Sequence, residues 1–243
     1  MRILLAFIVA LIICNTSYAA EFDPGWQQFP KSYMGDSIQK LAKALDTKKE
    51  EFESTQQYQE RLSKIAPPGK IYLFFCTELP LKIEYNANSQ EFIFSRNSYE
   101  AYIRVAKFDK NGKPYLGTNA FGVTKKIRML EVREYSINDQ DWSNEAGVAF
   151  KYPYPASQAA SIKNDLAIAL LIELTPHRHF GQSYNTMTSP YYYTSTYFSD
   201  PTLTSPLEYT SYTFAITANI MNVILYRKSD RSILLIAKPS KQK

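Results

Sequence analysis

The strongest constraint on the fold is the segment Leu166-Ala167-Ile168-Ala169-Leu170-Leu171-Ile172-Glu173-Leu174. Large apolar side chains occupy every second position of this segment, as they do on the inner face of a strand. The positions between them are also mostly apolar, which is typical of a strand buried on both faces. We therefore predict that this strand lies inside the protein and is covered on both sides.

Strand-like patterns surround this segment and fill most of the chain after Gly69. Alternating or densely apolar runs occur at 71–76, 79–85, 92–94, 102–105, 123–137, 148–152 and 212–224. The turn sequence 228–231 and the apolar run 233–237 predict a C-terminal hairpin. Asp109-Lys110-Asn111-Gly112 predicts another hairpin, because Asn-Gly accepts positive φ. A phase slip at Met129-Leu130 predicts a β-bulge.

Helical patterns lie mainly before these strands. Asp36 is a candidate N-cap for a helix whose apolar face carries Ile38, Leu41, Ala42 and Leu45. A second helix is predicted from Ser54 or Thr55 up to the stop Pro67-Pro68-Gly69, and a short third one at 156–163. The segment 21–32, which contains Trp26 and Phe29, is predicted to be an extended arm laid on the body.

Together these patterns predict an α+β fold, with N-terminal helices packed on a largely antiparallel β-sheet of about seven to nine strands. The division along the chain is a signal peptide at 1–19, an arm and helices at 20–69, and a β-rich body at 70–243. The helices and the β-rich body are expected to form one domain.

The first nineteen residues have the features of a cleaved export signal. Arg2 supplies the positive start, the run 3–14 is apolar, and Ser17 and Ala19 are the small residues before the cleavage point. Lipidation at Cys14 is the alternative, although lipoprotein signals have a small residue just before the cysteine and Ile13 is bulky. We expect export to the bacterial periplasm or the cell exterior, with no transmembrane segment after cleavage.

Composition narrows the classes of function. Lys and Arg number 28 against 23 Asp and Glu, but they are spread along the chain, so no nucleic-acid partner is expected. Aromatic residues make up 14% of the chain, including 19 tyrosines, which excludes general disorder. Cys76 alone would remain after cleavage, so no internal disulfide is expected, and its apolar neighbours predict an inert, buried thiol.

Two motifs resemble segments found in uncharacterised exported bacterial proteins. The run 49–61 (KEEFESTQQYQER) resembles an E-F-E-x-T-x-x-[YF]-x-x-R helix motif. The run 85–92 (YNANSQEF) resembles a Y-D-A-D-x-Q-x-L turn-and-strand motif, with asparagine in place of both aspartates. The resemblance implies bacterial export and an α+β body, and it implies no catalytic activity.

Two short segments carry residue types that bind metals. His177 and His179 alternate after Pro176 and could share a metal, but no further Cys or His lies near them to complete a zinc site. Asp139 to Glu145 has oxygen ligands at alternate positions, yet it lacks the glycine and late glutamate of a calcium loop. A strand-to-loop junction and a surface loop are therefore the simpler interpretations, and no cofactor is predicted.

The tyrosine-rich stretch 181–211 is the most suggestive segment for binding. Its tyrosines Tyr191, Tyr192, Tyr193 and Tyr197 lie among Ser, Thr and Pro in what the sequence predicts to be a long connection. Exposed tyrosines would offer a recognition surface for an envelope protein or a glycan. The alternative is a loop that packs these rings over a sheet edge.

Catalytic motifs for nucleophiles, metals, phosphates or dinucleotides are absent from the sequence. We therefore expect an exported, non-enzymatic binding or structural protein. The alternative is a cell-envelope hydrolase that uses carboxylate chemistry. A pocket with convergent polar groups would favour the hydrolase, whereas an aromatic surface would favour the binding protein.

Overall fold

The computed structural model describes residues 22–95, 102–139, 148–177 and 187–239. The predicted signal peptide, with Cys14, lies outside these residues. Three helices and twelve strands occur within the described ranges, in this order: α1 (Ile38–Leu45), α2 (Thr55–Ile65), β1 (Ile71–Phe75), β2 (Lys82–Asn86), β3 (Glu91–Ser95), β4 (Ile103–Asn111), β5 (Tyr115–Thr118), β6 (Thr124–Asn138), β7 (Val148–Pro153), α3 (Ala156–Lys163), β8 (Leu166–Leu174), β9 (Met187–Ser189), β10 (Tyr192–Ser199), β11 (Leu207–Arg227) and β12 (Ile233–Ala237).

The predicted α+β class is wrong, because 49% of the described residues are in strands and only 14% in helices. Nine of the described strands form one large mixed sheet, and β2, β3 and β7 form a smaller one. The large sheet is built around β11, whose first half pairs with β10 and, in parallel, with β6. Its second half pairs with β8 and β12. Periodicity alone cannot reveal this parallel pair, because it carries no information on strand direction.

Strand β8 is buried on both faces, as its sequence predicts. Leu166, Ile168, Leu170 and Ile172 face a core shared with α1, α3 and the small sheet. Ala167, Ala169 and Leu171 face a second cluster on the other side, which contains Phe29 and Tyr33 from the N-terminal segment. The sheet is therefore sandwiched between two covering layers at this end.

The second covering layer is the N-terminal arm, residues 22–33. Its rings Phe22, Trp26, Phe29 and Tyr33 pack on one another and on Phe75 and Tyr226. Phe29 N–H donates to the carbonyl of Arg231, and Ile233 N–H donates to the carbonyl of Gln27. The arm is thus fastened to the β11–β12 turn by backbone bonds as well as by apolar contact.

The helices begin and end close to their predicted positions. Ser37 caps α1 by accepting the N–H of Lys40, so the prediction of Asp36 as the cap is off by one residue. Asp36 instead accepts the N–H of Leu73 and ties the helix start to β1. Helix α2 has a complete capping box between Ser54 and Gln57. None of the helices in the described ranges is long and apolar enough to cross a membrane.

Two local predictions fail in the region of β4 to β6. Asn111-Gly112 does not close a hairpin, because β4 and β5 pair with successive parts of β6 and not with each other. A Cβ on Gly112 would lie 2.8 Å from the Cβ of Met129, so glycine here permits close approach of the two chains. No bulge occurs at Met129-Leu130, where the pairing with β11 stays regular. The phase slip coincides instead with the point where β6 changes its antiparallel partner from β5 to β4.

Candidate functional site

The part of the large sheet farthest from the covering layers is open to solvent except at Val132, which is buried. We call it the sheet extension: residues 107–118 and 124–135, together with 194–199 of β10 and 207–214 of β11. In β11 every residue from 207 to 214 is half-buried, whereas residues 215–218 are fully buried. Helix α1 and the N-terminal arm cover only the other end of the sheet. Binding surfaces on this protein are therefore best sought on the sheet extension.

One face of the sheet extension carries a row of aromatic rings. Strand register places Tyr135 beside Phe214, and Arg133 between Phe108 and Tyr212. The rings of Tyr135 and Phe214 stack with centroids 4.9 Å apart, and Phe108 meets Tyr135 edge-on at 6.0 Å. The Arg133 guanidinium lies 5.9 Å from the centroid of the Tyr212 ring. We call this the groove face.

Three shallow clefts run along the groove face. The first, of about 260 Å³, lies between α1 and the exposed strands, and its lining includes Gln39, Phe108 and Tyr135. The second, of about 150 Å³, shares Lys110 and Glu131 with the first and adds Glu208 and Thr210. The third, of about 320 Å³, is lined by Tyr115, Val123, Lys125, Thr202 and Leu203, among others. The third cleft shares no lining residue with the other two and lies beyond the hydrogen bond between Tyr115 and Glu208. The three clefts lie in line along β6 from Lys125 to Tyr135, over roughly 33 Å, and we call this line of clefts the groove.

Charged and hydroxyl groups alternate with the rings in this groove. Arg133 donates to Glu131 across 2.7 Å, and the Tyr115 hydroxyl donates to Glu208 across 2.8 Å. The bond to Glu208 raises the pKa of Tyr115 above its usual value, with smaller contributions from desolvation and from the nearby carboxylates. Both groove carboxylates therefore have a partner on the same face, which holds them in place as hydrogen-bond acceptors.

The tyrosines singled out in the sequence do not form one surface. The predicted long connection is wrong: within its described part, β9, β10 and the start of β11 form an antiparallel meander. Tyr192 is 2% exposed and belongs to the main core, whereas Tyr197 is 63% exposed. Tyr191 and Tyr193 are half-buried. Burial, and secondarily the neighbouring Tyr102, raise the pKa of Tyr193. Tyr197 lies on the face opposite the groove.

The candidate metal residues fall only partly within the described ranges. His177 follows β8, and its N–H donates to the carbonyl of Pro190, while His179 lies outside the described residues. Asp139 is buried and accepts the N–H of Ile220, and the rest of the 139–145 segment is not described. No group of metal-binding side chains occurs among the residues that the structure describes.

Sequence reasoning missed the residues that line the groove. Phe108, Tyr115, Arg133 and Glu208 come from four strands, and only cross-strand register brings them together. The available signal was that both alternating sets of residues in 124–135 contain charged side chains, whereas a strand with one dry face would have one apolar set. Comparison of the chain with family models, curated proteins and solved structures finds no match.

Proposed function

We propose that the chain is an exported bacterial binding protein that holds an extended glycan strand of the cell envelope in the groove of the sheet extension. The observation that carries this proposal is the groove itself, about 33 Å long by strand geometry and lined in turn by rings, charges and hydroxyls. Such a groove is too open to enclose a small molecule and is shaped for a linear polymer. Export rests on the signal-like residues 1–19.

A glycan fits this surface better than a peptide does. Extended peptides usually add to a free strand edge, where backbone groups are unpaired, but the groove runs over the face of paired strands. Sugar rings present C–H faces that pack on aromatic side chains such as Phe108 and Tyr115. Their hydroxyls can bond to fixed carboxylates, such as Glu131 and Glu208, and to Thr210.

The test is co-sedimentation with insoluble envelope glycan, purified free of protein and lipid. A Phe108→Ala, Tyr115→Ala double variant removes two exposed rings from the groove, and we expect binding to weaken about tenfold or more. Tyr197→Ala removes an exposed ring from the opposite face and serves as the matched control. If the double variant binds as well as the unaltered protein, or if the unaltered protein does not sediment with glycan, the proposal fails. Loss of binding in Tyr197→Ala would move the site to the other face.

One observation favours hydrolysis as the second candidate. Glu131 and Glu208 line the same cleft, and glycoside hydrolases use a pair of carboxyl groups. Each carboxylate here is bonded to a donor, Arg133 or Tyr115, whereas a general acid must carry a proton. Release of soluble fragments from the same glycan, abolished by Glu131→Gln or Glu208→Gln, would support hydrolysis over simple binding.

A further inference from the structure

The end of the β5–β6 hairpin is the most apolar exposed part of the sheet extension. Phe121 is 91% exposed at the turn, Leu116 is 73% exposed on β5, and Val123 is 44% exposed just after the turn. Leu203 adds a further exposed apolar side chain next to this end, where its carbonyl accepts a bond from the Lys125 ammonium group. We call residues 116–123 the hairpin tip. Clustered apolar side chains of this kind mark an interaction site.

The N–H groups of Asn119, Phe121, Gly122 and Val123 all have partners within the turn. The side-chain oxygen of Asn119 accepts the N–H groups of Phe121 and Val123, at 3.0 and 2.9 Å. Gly122 N–H donates to the carbonyl of Asn119, and Asn119 N–H donates to the carbonyl of Val123. The hydroxyls of Thr118 and Thr124 bond to each other at the base of the turn. These polar groups would therefore keep their hydrogen bonds if the tip moved from water into an apolar environment. Groups without hydrogen bonds would cost free energy there.

The charges around the hairpin tip are nearly all positive. From residue 110 to residue 130 the chain carries five cations, Lys110, Lys113, Lys125, Lys126 and Arg128, and no carboxylate. Across the sheet, Glu208 is bonded to Tyr115, and Asp200 acts on the same tyrosine. Lys126 lies directly across the hairpin from Leu116, and Lys125 lies across from Gly117, so these cations flank the apolar residues. Lysine side chains are long enough to reach outward from such positions, and apolar residues flanked by cations complement the interface of a membrane that carries negative headgroups.

We propose that the hairpin tip inserts into the surface of an anionic lipid membrane, with Phe121 and Leu116 among the upper acyl chains and Lys113 and Lys126 at the headgroups. An acidic protein surface could attract the same cations, but it would not require a fully exposed ring on a turn with internally bonded N–H groups. The hairpin tip shares Val123 with the third cleft of the groove, and Leu203 also lines that cleft, whereas Phe121 and Leu116 line none of the three clefts. Substitution of Phe121 therefore tests membrane insertion separately from glycan binding.

The test is sedimentation of the full chain with vesicles of phosphatidylcholine alone and of phosphatidylcholine containing about a third phosphatidylglycerol. Binding is expected only to the anionic vesicles, and we expect Phe121→Ser to weaken it about tenfold. Phe52→Ser is the matched control, since Phe52 is 93% exposed but lies between α1 and α2, far along the chain from the tip. A Lys113→Gln, Lys126→Gln variant is expected to weaken binding most at low salt, whereas Lys40→Gln, Lys43→Gln on exposed α1 positions should not.

The outcomes separate this inference from the proposed function. If Phe121→Ser binds anionic vesicles as the unaltered protein does, or if Phe52→Ser loses binding equally, the hairpin tip is not the insertion site and the inference is overturned. Absence of any vesicle binding overturns it as well. Glycan sedimentation by Phe121→Ser should stay unchanged in every case, so failure of one proposal leaves the other standing.

Discussion

At the scale of single residues, the helix motif 49–61 is explained by a network that closes the connection between α1 and α2. Arg61 donates to both carboxylate oxygens of Glu53, at 2.9 and 2.7 Å, and also bonds to Thr47 and to the carbonyl of Lys48. The Tyr58 hydroxyl donates to the carbonyl of Thr47. Arg61, Glu53 and Tyr58 of the motif therefore stabilise the structure. Phe52 of the same motif is exposed to solvent.

This network predicts how the stability of the fold changes at acidic pH. The bonds from Arg61 lower the pKa of Glu53 from its ordinary value of 4.5 to about 2. A lowered pKa stabilises the folded state fully above pH 4.5, and that contribution is lost as the pH falls towards 2. Glu53→Gln should therefore lower the urea midpoint at pH 7 and differ progressively less from the unaltered protein below pH 4.5.

The control for this prediction is Glu51→Gln, because Glu51 is exposed two positions away from Glu53. Its urea midpoint should follow that of the unaltered protein at every pH. A Glu53→Gln deficit of the same size at pH 2 and pH 7 would show that the ion pair is not its cause.

Cys76 gives a second prediction at this scale. The residue follows β1 in the main core, and desolvation by burial raises the pKa of its thiol to about 12. Cys76→Ser should cost about 1–3 kcal/mol, because it buries a hydroxyl among apolar neighbours, while Cys76→Ala should cost less. Chemical denaturation of both variants measures the difference. Rapid labelling of the native protein by a thiol reagent would contradict this account.

At the scale of elements, β10 passes from the covered core to the open sheet extension within a few residues. Tyr192, at its start, is packed in the main core, and Tyr197, five positions later, faces solvent. A single strand therefore presents the same residue type to two environments, which is why composition could not decide whether these tyrosines bind or pack.

The two tyrosines should respond differently to the same substitution. Tyr192→Ser is expected to cost roughly 3–5 kcal/mol, because it empties a filled core position. Tyr197→Ser is expected to change stability by no more than about 0.5 kcal/mol, since little buried surface is lost. Thermal melts of the two variants make the comparison. Equal melting temperatures would mean that Tyr192 is not the buried ring described above.

At the scale of the whole molecule, Arg231 connects the β11–β12 turn to the N-terminal arm. Its guanidinium donates to the carbonyls of Lys31 and Tyr33 and lies over the Phe75 ring, 5.1 Å from the centroid. Arg231 also adopts a positive φ of 64° in the β11–β12 turn. The last hairpin of the chain thus holds the N-terminal arm against the second core cluster.

Arg231→Gly should loosen the arm without straining the turn, because glycine accepts the positive φ and the backbone bonds of the arm remain. We expect faster amide exchange at Phe29 and Tyr33, with unchanged protection in β8, and a loss of roughly 1–3 kcal/mol from the missing charged bonds. Hydrogen exchange read by mass spectrometry tests this. Uniform loss of protection across the chain would argue that the arm and the sheet unfold together.

The sequence by itself determined the local elements. The period of the apolar residues predicted α2 and the doubly buried β8, alanine content predicted α3, and the turn sequence 228–231 predicted the C-terminal hairpin. Each of these elements depends on neighbours in the chain. The tertiary structure alone decided the class of fold and the groove. Strand β6 pairs in parallel with β11 and changes its antiparallel partner from β5 to β4 along its length. These pairings bring Phe108, Tyr115 and Glu208 to one face, and all of them depend on cross-strand register. Register is set by which strands become neighbours in space, and no local pattern in the chain encodes that choice.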